Sequence, residues 1–183
     1  MVVYLATHGE KTGGPDPGMT EKGFQQVRPL RQDLFDRLPA DGPPEVHIGT
    51  GKRQFEVASA LGLTNLEERF FYSAVWGDGS SEFKRDGKPM VMLPFGRIIK
   101  WDQYLSPRHL QPAIRKAIMT LPDNTVICSG RPVLIRLGMT LNSPNCQSGA
   151  LYAIHFKPGE PDSIRIELVL SGVNLDDGKG AAI

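Results

Sequence analysis

Short, almost wholly apolar runs that each end in a polar turn and pass into a helix constrain this chain more than any other feature. Val2–Ala6 is the first, with two β-branched residues, as expected of a strand covered on both faces. After a Gly/Pro-rich loop from Gly9 to Met19, Thr20 offers an N-cap with Glu21 in the first turn. Phe24, Val27, Leu30, Leu34 and Leu38 then recur at helical spacing. Pro29 interrupts that run, and an internal proline costs about 3 kcal/mol, so a kink or restart is expected there. Val46-His47-Ile48 reads as a second strand. It turns through Gly49-Thr50-Gly51 into a helix carrying Phe55, Ala58 and Leu61, with Gly62 as its stop.

The pattern continues to the end of the chain. Ser106-Pro107 caps a helix with Leu110, Ile114, Ala117, Ile118 and Leu121 on one face. Thr125–Cys128 is a third strand, and Ser129-Gly130 leads into a helix at Arg131-Pro132. Leu151–Phe156 is a fourth strand, and alternation from Ile164 to Leu170 gives a half-exposed fifth. Strands alternating with helices predict an α/β fold: a three-layer α/β/α sandwich with a mostly parallel sheet, Val2–Ala6 central and one late strand antiparallel. The stretch 63–105 breaks the rhythm and reads as an irregular insertion, either a lid or a second small hydrophobic cluster. A polar, glycine-rich tail from Asp176 is expected to fray.

Composition narrows the partners. The length of 183 residues suits one domain, 1–183, and 40% hydrophobic residues exclude a disordered chain. The 21 Lys and Arg nearly cancel the 20 Asp and Glu, which leaves no broad attraction for nucleic acid or an anionic membrane. No apolar run approaches the ~20 residues needed to span a bilayer, and Val2–Ala6 is too short for a signal-peptide core. Two cysteines, Cys128 and Cys146, make no disulfide framework and lack metal-ligand spacing. A cytoplasmic, reduced protein is the expectation. No cluster of His, Asp or Glu supports a metal, and the Gly49-Thr50-Gly51-Lys52 run lacks P-loop spacing, so no cofactor is expected.

In open α/β sheets ligands bind beyond the carboxyl ends of parallel strands. Three such ends here carry polar groups: Thr7-His8-Gly9-Glu10, the turn into Lys52 and Arg53, and Ser129-Gly130-Arg131. Helix starts present N–H groups, and arginines beside them offer bidentate forks for oxyanions. His8, Arg53 and Arg131 are therefore expected to open into one phosphate-type cleft, roofed partly by 63–105.

The segments Leu5-Ala6-Thr7-His8-Gly9-Glu10, Met19-Thr20-Glu21-Lys22-Gly23-Phe24-Gln25-Gln26 and Lys52–Leu61 together resemble the histidine phosphatase superfamily, the phosphoglycerate mutase-like proteins. The Pro144-Asn145-Cys146 turn is similar too, and order and spacing agree over most of the chain outside 63–105. The resemblance implies a two-step phosphoryl transfer in which a histidine attacks phosphorus and water or a second substrate then takes the group. His8 matches the nucleophile and Arg53 one of the arginines on the phosphoryl oxygens, with Arg131, Thr7 and Gly9 as further phosphate-binding candidates. Asp78 and Glu82 are the general-acid candidates.

Two positions depart from the family pattern. Thr7 stands where the family has an arginine, and Gly130 where it has a second histidine. Losing one such donor costs about 10²–10³ in rate. The resemblance thus implies a small phosphorylated or other anionic ligand bound with little or no turnover, a protein partner being the other occupant. The alternative is an active phosphomonoesterase using His8. A plainer reading of His8 is a polar residue ending a strand, and of Arg53 a surface helix residue. His47 reads as a packed strand residue, His109 as a solvated first-turn side chain and His155 as structural.

Overall fold

A computed structural model describes residues 1–13, 16–49, 51–68, 81–92, 97–100, 114–140 and 143–172. The apolar run at the start forms β1 (Val2–Thr7), and every residue from Val3 onward in it is buried. Thr20 caps α1 (Glu21–Val27), its side chain accepting from the Gly23 N–H at 3.0 Å. Pro29, with no N–H to offer, ends that helix and stands as the N-cap of α2 (Leu30–Arg37), so the restart falls where the sequence put it. Strand β2 (Val46–Ile48) leads to α3 (Lys52–Leu61), closed by Gly62 in the left-handed conformation with φ 71°.

Phe55 does not join the buried face of α3. Arg53, Gln54, Val57, Ala58 and Leu61 do, while Phe55 is 37% exposed. Counting only apolar residues misplaced the stripe by about one position, because a glutamine and an arginine occupy two of its places.

Beyond α3 lies β3 (Leu66–Glu68), followed by β4 (Ser81–Arg85), β5 (Lys88–Met92) and β6 (Ile98–Lys100). The described parts of 63–105 are thus more regular than their composition suggested. The last three strands form an antiparallel sheet whose first hairpin turns on Asp86 and Gly87, at φ 52° and 74°. Two successive positive φ values match the twist of a tight hairpin, and Asp-Gly is well suited to adopt them. The helix expected from Ser106-Pro107 falls partly on 101–113, outside the described residues; 114–119 are helical and form α4. Then come β7 (Val126–Ser129), α5 (Arg131–Arg136), β8 (Ala150–Lys157) and β9 (Glu160–Ser171).

The larger sheet has the order β3-β2-β7-β1-β8-β9, placing β1 in its interior. β3, β2, β7 and β1 run parallel, and β8 is antiparallel to both β1 and β9. Alternation along β1 divides the core between the two faces. Val3 and Leu5 pack with Ile114 and Ile118 of α4 and with Val133 and Leu134 of α5. Tyr4 and Ala6 pack with Val27, Leu30, Leu34, Val57 and Leu61 of the first three helices. The result is a three-layer α/β/α sandwich. Among the described residues no helix is long and apolar enough to cross a membrane.

Candidate active site

His8 follows β1 at the carboxyl edge of the sheet and is held by backbone on both sides. Its N–H donates to the Ser129 carbonyl at 3.1 Å, and its carbonyl accepts from the Gly149 N–H at 2.8 Å. Nδ1 lies 2.9 Å from the Gly9 carbonyl oxygen. A carbonyl can only accept, so Nδ1 carries the proton and Nε2 keeps its lone pair. Burial pushes the imidazole pKa down to about 4. The Gly9 bond opposes that shift, while the charges of Arg53, Lys11 and Arg131 reinforce it. Near neutral pH His8 is therefore an uncharged imidazole whose Nε2 carries the lone pair, in a cationic surround.

Gly9 is placed by packing. A β-carbon there would lie 2.3 Å from the Gly23 carbonyl oxygen and 2.7 Å from its Cα, so only glycine lets α1 approach this closely. Its carbonyl fixes the His8 ring. The Gln26 side chain completes the turn by accepting from the Glu10 N–H at 2.8 Å.

The Thr7 side chain is committed to neighbouring backbone. It is fully buried, and its Oγ1 accepts from the Ala150 N–H at 3.0 Å with the Gln147 and Ala150 carbonyls at 3.1 and 3.2 Å. That hydroxyl ties β1 to the start of β8. Gly130 is extended, at φ −142°, so the position requires no glycine on backbone grounds. A β-carbon there would stand 3.1 Å from His8 Nε2 and 3.2 Å from Cδ2. Gly130 thus adjoins the Nε2 edge of His8.

The two helix starts contribute less evenly than their sequences suggest. At α3 the Lys52 N–H already donates to Asp16 Oδ1 at 3.0 Å, and the Lys52 ammonium lies 3.8 Å from Glu56. That turn therefore supplies Arg53, which is 9% exposed, rather than an open N-terminus. Arg131 is exposed at the start of α5, and its charge acts on Cys146 and Tyr152 as well as on His8. Lys11 escaped the sequence reading; a basic residue three positions past the histidine was the available signal. Asp78 lies outside the described residues, and Glu82 stands opposite Val91 in the smaller sheet. The remaining roof positions, 69–80, 93–96 and 101–105, also lie outside the described residues. Two surface grooves of about 680 and 480 Å³ contain none of His8, Arg53 and Arg131.

His155 is exposed beside Glu167, at 3.3 Å, and His109 lies outside the described residues. His47 is buried as expected, but not alone. Its Nε2 lies 2.6 Å from Glu45 Oε1 and 3.2 Å from Glu67 Oε2. The expectation that no His/Asp/Glu cluster exists is therefore overturned. Glu67 is far from His47 in sequence, and only the parallel pairing of β2 with β3 brings them together.

No protein-family model matches the sequence, and no curated protein does. Solved structures do match. The open reading frame Rv3214 from Mycobacterium tuberculosis superposes with a TM-score of 0.56 at 19% identity, covering 93% of this chain and 98% of that one. TTHB049 from Thermus thermophilus gives 0.55 at 15% identity, over 93% and 100% of the two chains. The Putative Phosphohistidine Phosphatase SixA from Nakamurella multipartitia gives 0.53 at 13% identity, over 93% and 94%. The fold is common to all of them.

Proposed function

We propose that the turn after β1 is the core of a histidine phosphatase-like site that binds a phosphate-containing or other oxyanionic ligand and turns it over slowly or not at all. The observation that carries this reading is the environment of His8: an imidazole kept neutral by burial, with Arg53, Lys11 and Arg131 all adding positive potential. Such a site attracts an anion without first needing a charged histidine. A neighbour of the same fold bears the name Putative Phosphohistidine Phosphatase SixA, which agrees with this ligand class.

Weak turnover follows from what surrounds Nε2. The buried hydroxyl of Thr7 is bonded to the β8 segment, and Gly130 supplies no side-chain donor beside His8 Nε2. Charge developing on a transferring phosphoryl group would meet fewer preorganised donors. One observation favours the second reading, an active phosphomonoesterase: with Nδ1–H on the Gly9 carbonyl, Nε2 has the tautomer a phosphoryl acceptor requires.

Phosphate release from generic phosphomonoesters, beside a His8→Ala control, separates the two. Turnover that disappears with His8 supports the phosphatase. Saturable phosphate binding without His8-dependent release supports the binding protein. Neither binding nor release would reject both.

A further inference from the structure

The cluster at the outer part of the larger sheet carries an inference independent of His8. Glu45 immediately precedes β2, and its carbonyl accepts from the Val126 N–H at 2.8 Å, so its backbone is already fixed against β7. His47 is the middle residue of β2. Residues two apart in an extended chain share a face, so Glu45 and His47 point the same way. The parallel register sets Glu67 of β3 directly opposite His47. One donor atom from each of the three falls within 4.8 Å of the others. The imidazole is only 3% exposed, whereas the carboxylates are 44% and 49% exposed. The group is anchored from inside and reachable from solvent on its acidic side.

We propose that Glu45, His47 and Glu67 form a binding site for a divalent transition-metal ion of the zinc class. One imidazole nitrogen and two carboxylate oxygens form a donor set suited to such ions. Ligand bonds of about 2.0–2.2 Å in tetrahedral geometry place donor atoms about 3.4 Å apart. The observed 2.6 and 3.2 Å need an adjustment of less than about 1 Å, and the half-exposed Glu45 side chain can supply it. Two carboxylates balance the charge of a dication, and water would complete the coordination. Because strand pairing already aligns the donors, little chain entropy opposes binding. Magnesium and calcium, which favour all-oxygen sites, should bind much more weakly. The site stands apart from the His8 turn: His47 aligns with Ile127, which aligns with Leu5, three residues before His8.

The test uses the full chain, stripped with a chelator and titrated with zinc or cobalt(II) by calorimetry and visible absorption. One ion per chain is expected, with a cobalt ligand-field band. Glu67→Gln and Glu45→Gln should each weaken binding by about tenfold or more and lower that band. Both carboxylates are exposed enough for these variants to fold even where His47→Ala does not. His155→Ala, which removes an exposed His–Glu pair, should change nothing. Binding that survives all three substitutions at Glu45, His47 and Glu67 would overturn the proposal. So would the absence of binding to the folded parent chain.

Discussion

Two buried or half-buried histidines of the same sheet have opposite surroundings. His8 ends β1 and faces Arg53, Lys11 and Arg131; His47 sits within β2 and faces Glu45 and Glu67. Residue type is identical, and both rings are held by strand geometry. The difference lies in the sign of the neighbouring charge, basic beside one ring and acidic beside the other. A histidine's function is therefore set less by its presence at a strand than by what the pairing of distant segments places beside it.

The most disruptive way to probe the His8 side is Thr7→Arg. This change forces a guanidinium into a fully buried place and removes the hydroxyl that ties β1 to β8. A loss of more than about 3 kcal/mol in urea denaturation is expected. A stable, folded variant would show that the position can open toward the ligand after all. Gly9→Ala should cost about 1–3 kcal/mol, since its β-carbon meets backbone rather than a movable side chain. Unchanged stability would remove the argument that α1 packing fixes the His8 turn.

Acid stability sharpens the contrast further. The folded pKa of His8, about 4, lies below the ordinary 6.5, so below pH 6.5 the unfolded chain takes up the proton first. Stability from this group is complete above about pH 6.5 and is lost as pH falls toward 4. The loss is at most about 3 kcal/mol, and less to the extent that solvent screens the ring. Urea denaturation at pH 7 and 4.5, compared with His8→Gln, reads it. Sulfate should flatten the loss, because a bound anion favours the protonated ring. Equal acid sensitivity in protein and variant would mean that His8 is not desolvated.

The smallest expected structural effect is that of Gly130→His. The extended backbone accepts a side chain, and the His8 edge must yield by only a few tenths of an ångström, so a stability change of about 1 kcal/mol or less is expected. If the missing imidazole limits turnover, phosphate release should rise by about 10²-fold, mainly in kcat. A folded variant that binds phosphate with no such rise would assign the weakness elsewhere.

These effects also mark what the sequence could disclose. β2, the Pro29 restart and the Gly62 stop were legible because each depends on a few adjacent residues: a β-branched pair, an absent N–H, a left-handed φ. The placement of His8 just after β1 and of Arg53 in the first turn of α3 was legible through their order along the chain. The hairpin at Asp86-Gly87 was hidden in what read as an irregular insertion, since its flanks Lys84, Arg85 and Lys88 do not alternate as a buried strand would. Phe55 misled because two polar residues hold the buried stripe of α3. The commitment of Thr7 to β8 and the meeting of Glu67 with His47 depend on pairings between distant segments, which local pattern does not encode.

The most direct test of the central claim is a sulfate titration of isotopically labelled protein at pH 7, following the His8 imidazole by NMR beside Arg53→Ala. Sulfate keeps its full charge across the working range, so only the protein titrates. The account predicts a neutral His8 ring protonated at Nδ1, a saturable shift of its signals, and affinity roughly 10- to 100-fold weaker without the Arg53 guanidinium. An unmoved His8 resonance, or the same affinity with and without Arg53, would contradict it.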